Sequence, residues 1–254
     1  MQTIRHGLTL ILLLCATLSV AQSTVESASE AYRSEDYKRS IQLYEQVVAQ
    51  LLSEGRESAE IYYNLGNAYF RNGETAKAIL NYERALLLDP GDSDIRHNLR
   101  FARTRIEDKI DTAETFFLTS WINNLENLLN SNRWATLAII LFIAFLSCIA
   151  TFLFVRRIWI RKTAFYAGLV IFLFVILANV FAFNQKNSRT RRNTGIVMSA
   201  SASIMASPDA NSQELFRLHE GTKVKLNKTY GNWIEIEIAN GSVGWTSKEN
   251  VEVI

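Results

Sequence analysis

The sequence predicts a multi-domain membrane protein in three parts: an all-α region of helical repeats, a transmembrane helical hairpin and a small all-β barrel. Three observations lead there. Two apolar runs free of charge, Trp134–Val155 and Thr163–Phe183, stand in tandem. Before them apolar residues recur at helical spacing, and after them the apolar period drops to two.

The two runs set the frame. A helix rises about 1.5 Å per residue, so about 20 apolar residues cross the hydrocarbon core of a bilayer. Both runs meet that length, and neither carries the polar face that a long helix in a soluble protein keeps. The connector, residues 156–162, reads Arg-Arg-Ile-Trp-Ile-Arg-Lys. It is too short for a domain, and short loops rich in Lys and Arg stay in the cytoplasm. Lys186, Arg189, Arg191 and Arg192 come after the second run and pull the other way, so the N-terminus has to decide.

Residues 1–21 read as a signal peptide. Arg5 supplies the positive start, Leu8–Leu14 the apolar core, and Ser19-Val20-Ala21 the small-x-small cleavage site. Cys15 hints at a lipoprotein box, but Leu14 stands where a small residue is usual. Export of the chain beyond this signal places residues 22–133 outside the cytoplasm, the connector inside, and the linker 184–193 and residues 194–254 outside again. The arginines of the linker then face lipid headgroups.

Composition excludes several classes. Residues 22–112 carry 12 Lys and Arg against 16 Asp and Glu, which is not the basic footprint of a nucleic-acid binder. Cys15 and Cys148 are the two cysteines, one in the signal and one in a span. The exported parts therefore have no thiol for a disulfide, a catalyst or a metal site. His6, His97 and His219 are far apart in sequence, and no nucleophile elbow, phosphate loop, dinucleotide fingerprint or zincin motif occurs. Neither span holds an ionisable residue of the kind that marks pumps and channels. The sequence offers no catalytic residue, cofactor or metal ligand, so no enzyme is expected.

Residues 59–92 read AEIYYNLGNAYFRNGETAKAILNYERALLLDPGD. Tyr62, Leu65, Gly66, Tyr69, Ala78, Tyr82, Ala85 and Pro90 fall on the eight marked places of a tetratricopeptide repeat, which this segment resembles. Gly66 and Ala78 are small where two helices approach, Asn72-Gly73 turns the chain, and Pro90 ends the second helix. One repeat cannot bury its own apolar face. Upstream, residues 36–44 match the second half of another, with Ser40 and Tyr44 on the Ala and aromatic places; its first helix, within residues 25–33, is degenerate. Downstream, Ile95, Leu99, Ala102 and Ile106 form a capping stripe. Arg96, Arg100 and Arg103 lie on an adjacent face, either as a solvated surface or as a site for an anionic partner. By analogy with such repeats, Tyr63, Asn67 and Arg71 point into a concave groove. There they either hold a peptide backbone or carboxylate or are ordinary surface residues of a short scaffold.

Residues 111–133 hold an amphipathic juxtamembrane helix, with Leu118, Trp121, Ile122, Leu125, Leu128 and Leu129 on one face. It lies in the membrane interface or caps the repeats. From residue 194 the pattern alternates, most clearly along Trp233–Ile238, and Asn240-Gly241 signals a hairpin. Leu218-x-x-Gly221, Trp233–Ile238, Gly241-x-x-Gly244-Trp245 and Val251 resemble a bacterial SH3-like domain, although Met205-Ala206-Ser207 stands where that family often has an Arg. Trp233 and Trp245 are either barrel core or an aromatic platform for a ligand. The resemblance implies cell-wall peptide, hence peptidoglycan, as one possible ligand.

The order of parts, with the trailing residues 94–103, resembles the BatE-type proteins of bacterial aerotolerance (Bat) operons. That resemblance implies a non-enzymatic scaffold in the bacterial inner membrane, both globular domains on the periplasmic side. Its implied partners are membrane von Willebrand A-domain proteins and a MoxR-type ATPase, besides the lipid bilayer.

Overall fold

Three helices of the repeat region start where a short polar side chain can cover their first free amides. Asp36 accepts from the Arg39 amide, Ser58 from that of Ile61, and Asp92 from those of Asp94 and Ile95. The computed structural model describes residues 23–110 and 117–254. The expected signal peptide, residues 1–21, lies outside the described residues, as do residues 111–116 of the juxtamembrane segment.

Five helices form the first part: α1 (residues 23–33), α2 (Tyr37–Ser53), α3 (Ala59–Arg71), α4 (Thr75–Leu88) and α5 (Ser93–Arg103). They pair as α1/α2 and α3/α4, with α5 over the end. The two pairs are built alike. Ser40 is fully buried against α1, its Oγ donating to Ala28 O, and Ala78 is fully buried at the matching place in α4. The Tyr44 hydroxyl meets Ser29 Oγ at 2.9 Å, and the Tyr82 hydroxyl donates to Asn67 Oδ1 at 2.8 Å, each 15 residues apart. Glu35 (φ 63°) turns the first pair where Gly73 (φ 88°) turns the second. A left-handed Glu carries a backbone cost that Gly avoids. Gly66 admits Tyr82: a Cβ there would lie 2.7 Å from two of its ring carbons and 3.3 Å from Ala78 O. The core of this part runs through Tyr44, Tyr62, Ile79, Tyr82, Ile95 and Leu99.

The β-domain has seven strands: β1 (Thr194–Val197), β2 (Ser201–Met205), β3 (Glu214–His219), β4 (Lys223–Tyr230), β5 (Trp233–Glu237), β6 (Val243–Ser247) and β7 (Val251–Val253). They form one antiparallel sheet in the order β3-β2-β6-β5-β4-β1-β7. Leu218 of β3 and Val197 of β1 enter the same apolar cluster as Ile204, Val224 and Ile236. Strands near opposite ends of the order thus share one core, so the sheet curls round it. Gly231 (φ 55°) and Gly241 (φ 89°) turn the two hairpins on either side of β5.

The repeats and the β-domain fall in one compact unit, although more than 80 residues of chain lie between them. The joint is strand β1, which is buried on both faces. Val197 joins the β-domain core, while Ile196, fully buried, joins the core of the repeats together with Ile254.

Residues 117–192 fall in a second unit. Helix α7 (Ser131–Phe154) and helix α8 (Ile158–Arg191) pair along their length, and both are long and apolar enough to cross a membrane. Their large apolar side chains point outward: Ile139, Ile143, Leu153, Leu169 and Leu173 are each about 60% exposed or more. Two segments expected to be loops are helical. Of the connector 156–162, residues 158–162 already belong to α8, and the linker 184–193 continues α8 through Arg191. Apolar composition stops at Phe183, but Gln, Lys and Arg sustain a helix as well as Leu does. The end comes at Arg192, in a left-handed conformation (φ 39°).

Helix α6 (Phe117–Glu126) lies across the ends of the hairpin. Leu125 and Leu129 pack on Trp134, Ala138, Ala178 and Phe181, Trp134 Nε1 donates to Glu126 O, and Gln185 Nε2 donates to the same oxygen. Trp121, 64% exposed, is left on the outer surface.

The close approach at Gly66 makes a prediction. Gly66→Ala forces Tyr82 out of a fully packed site, which costs about 1–3 kcal/mol. Thermal unfolding of the full chain in detergent, followed by circular dichroism, is expected to show an earlier transition; an unchanged midpoint contradicts the packing described.

Candidate functional site

Tyr63, Asn67 and Arg71 stand one turn apart on α3, and each is engaged within the fold. Asn98 Nδ2, on α5, donates to Asn67 Oδ1 at 2.9 Å and to the Tyr63 hydroxyl at 3.0 Å. Asn67 Oδ1 also accepts from Tyr82, whose hydroxyl burial holds firmly protonated. Tyr63 and Asn67 are half-buried along the seam between α3 and α5. Arg71 is exposed, donates to the Tyr37 hydroxyl at 2.7 Å and lies over the Tyr37 ring. These residues therefore hold helix to helix, with Arg71 the most open of the three.

A cluster that no sequence pattern singles out lies beside them. The rings of Phe70 and Phe101 are 5.6 Å apart, and the Arg105 guanidinium sits 4.6 Å from the centre of the first and 5.4 Å from that of the second. Tyr32 meets Tyr37 edge to face at 5.5 Å. Two ring–guanidinium clusters thus stand near the helix ends, Tyr32–Tyr37–Arg71 and Phe70–Phe101–Arg105, and Phe101 is 50% exposed. A stacked guanidinium keeps its edge donors for a carboxylate, and the rings offer apolar contact to a peptide side chain. Arg105 lies in the turn just past the end of α5, so no helical period of the sequence pairs it with Phe101.

The three arginines of the capping helix part company. Arg100 is exposed and Arg96 half-buried, whereas Arg103 donates to Glu83, which is 4% exposed. The other oxygen of Glu83 accepts from Lys223 Nζ of β4 at 2.8 Å. A buried carboxylate is costly unless paired and hydrogen-bonded. Glu83 meets that requirement with one cation from each domain.

Three further contacts join the same two surfaces. Arg84 donates to Glu252 Oε1 at 2.9 Å and to Val253 O at 2.8 Å. Gly221 (φ 89°) lies against the repeats so closely that a Cβ would come within 2.5 Å of Ile106 Cγ2 and 3.2 Å of Ile79 Cδ1. Asp108, past the end of α5, accepts from the His219 amide at 2.6 Å, from the Thr222 hydroxyl at 2.7 Å, and faces His219 Nδ1 at 2.8 Å. Burial disfavours the charged form of Asp108, but the amide, ring and hydroxyl together outweigh it and hold the carboxyl below its usual range. The bond to Asp108 in turn raises His219, helped by the charges of Asp108 and Glu107 and opposed by partial burial and by Arg217. None of these partners is legible before folding, because each pair is more than 100 residues apart in the chain.

Trp233 and Trp245 lie on β5 and β6 on the face opposite Ile234, Ile236 and Thr246. Both are half-buried, and neither is among the residues that form or pack on the β-domain core. The register sets Trp233 opposite Ser247 and Glu235 opposite Trp245, so the two indoles are diagonal neighbours on one surface. The core reading fails because the alternation places the isoleucines, not the tryptophans, inside; the two indoles share the outer face.

The Asp108–His219 contact gives the docking a pH dependence. A raised histidine stabilises the folded state below its unfolded value of about 6.5, and this is lost as pH rises through the folded value. A lowered aspartate stabilises above about 3.8, and this is lost as pH falls through its folded value. The thermal midpoint of the full chain is expected to fall between pH 6 and 8 and to flatten over that range in His219→Gln. An equal slope in the variant contradicts the assignment.

Comparison with known families agrees with the layout. The family model described as a tetratricopeptide repeat matches residues 59–92, which are α3, α4 and the turn before α5, and that of the bacterial SH3 domain matches residues 199–252. No curated protein matches the chain. The chain thus joins a module of a kind used for protein–protein interaction to one of a kind used for cell-wall binding.

Proposed function

We propose that the protein is a non-enzymatic scaffold of the bacterial inner membrane, holding other envelope proteins through its repeats. One observation carries this reading: the repeats and the β-domain are docked on each other through Glu83, Asp108 and Gly221. Parts in contact share a compartment, so the chain between them crosses any membrane an even number of times. Helices α7 and α8 supply two crossings, and the β-domain of a wall-binding kind favours the outer side. The exposed Arg71, Phe101 and Arg105 are then the residues offered to a protein partner, with Arg96 and Arg100 on the same capping helix as Phe101. The resemblance to aerotolerance-operon proteins suggests membrane von Willebrand A-domain proteins and a MoxR-type ATPase system as the complex served.

Affinity capture of the full chain from detergent-solubilised membranes tests this. Arg71→Ala/Phe101→Ala/Arg105→Ala is expected to reduce recovery of membrane partners at least about tenfold, while circular dichroism remains unchanged. Undiminished recovery removes these residues as the binding face.

The outward face of Trp233 and Trp245 supports a second reading, in which the β-domain binds peptidoglycan. It predicts that the full chain in detergent sediments with purified peptidoglycan and that Trp245→Ala lowers the bound fraction. Failure of the unaltered chain to sediment ends that reading.

A further inference from the structure

The two hairpin helices leave a furrow between them on one side. Its deeper half, about 310 Å³, is lined by Phe145, Cys148, Phe152, Phe165, Gly168 and Phe172 among others. Its outer half, about 350 Å³, adds Ile158, Arg161, Lys162 and Tyr166 and shares Phe152 and Phe165 with the first, so the two are continuous. Gly168 brings the helices together at the floor, since a Cβ there would stand 3.3 Å from that of Cys148. From Ile158 to Phe172 the furrow tracks α8 for about 21 Å at 1.5 Å per residue, more than the roughly 15 Å depth of one leaflet's hydrocarbon.

The mouth of the furrow is cationic. Arg161 Nε donates to Phe152 O at 3.1 Å, and its guanidinium lies 5.0 Å from the Phe152 ring centre, which fixes one charge at the rim. Arg156, Arg157 and Lys162 are exposed around it. The chain has no Asp or Glu between Glu126 and Asp209, so nothing in that stretch neutralises these charges. The first turn of α8 opens at the same place with no side chain capping its amides, and free helix-terminal amides favour an anion. The apolar length therefore ends at a site built for negative charge.

We propose that this furrow binds one anionic glycerophospholipid, its phosphate among Arg157, Arg161 and Lys162 and one acyl chain lying along Phe152 and Phe165 toward Phe145 and Phe172. The proposal rests on the reading of α7 and α8 as membrane spans. A phosphate alone would not use the furrow, and a zwitterionic lipid would not use the charges. The hydrogen-bonded position of Arg161 makes it the fixed element and Lys162 the adaptable one.

The test uses the full chain. Flotation with vesicles of phosphatidylcholine plus phosphatidylglycerol first establishes insertion through resistance to carbonate wash. Native mass spectrometry of the detergent-purified protein then compares added phosphatidylglycerol, phosphatidylcholine and inorganic phosphate. We expect one retained phosphatidylglycerol, retained at least about tenfold over phosphatidylcholine and not displaced by phosphate. Arg161→Gln/Lys162→Gln is expected to lower that retention about thirtyfold, from two cations near an anionic headgroup. Leu169→Trp, which fills the furrow from its exposed side, is expected to lower it without changing carbonate resistance. Equal retention of the two lipids, displacement by phosphate, or a dimer in place of bound lipid would each overturn the proposal while leaving insertion intact. Release by carbonate would instead overturn the membrane reading on which it rests.

Discussion

Glu83 is the point at which the two folded parts of this chain become one. Its carboxylate is almost fully buried and accepts from Arg103 of the capping helix and Lys223 of the β-domain. Without the second cation, a buried charge would be left half-satisfied at the edge of the repeats, and desolvation makes that expensive. The apolar part of the joint has the same logic. Ile196 and Ile254 complete the core of the repeats from outside, which two repeats cannot close by themselves. The β-domain thus acts as the missing neighbour of a short repeat array.

That joint constrains everything between. A chain that leaves the repeats and returns to them must come back to the side it left. Two paired apolar helices of sufficient length occupy the interval, and they allow an excursion through a bilayer and back. The basic residues at both ends of the hairpin give the positive-inside rule little leverage. Contact between the domains bears on the number of crossings without invoking charge at all. It does not say which side is which; the wall-binding kind of the β-domain bears on that.

How much of this is legible in the sequence depends on whether the signal is local. Residues 59–92 are readable because Gly66, Ala78 and Tyr82 meet within one helical pair. The first pair is only half readable, since Glu35 occupies the left-handed place that Gly73 marks in the second. Alternation locates β4 and β5, but it leaves Trp233 and Trp245 open to a core assignment. Aromatic bulk suggests burial, while register gives the inner face to isoleucine. The end of α8 is misplaced by composition because hydropathy reports contact with lipid, whereas helix propensity reports backbone geometry. Glu83, Asp108, His219 and Lys223 look like unremarkable surface residues. The partners that join them across the two domains lie more than 100 residues away, and no period in a single sequence encodes such pairs.

The docking of repeats and β-domain can be tested without disturbing either core. With Cys15 and Cys148 replaced by Ser, Arg84→Cys and Glu252→Cys place two thiols where a 2.9 Å ion pair now stands. Membranes containing this protein are treated with a short bismaleimide and then cut at a protease site inserted among residues 111–116. Docked domains predict that the repeat fragment and the remainder stay covalently joined on a denaturing gel. Separation of the two pieces, with both thiols fully modified, would contradict the docking.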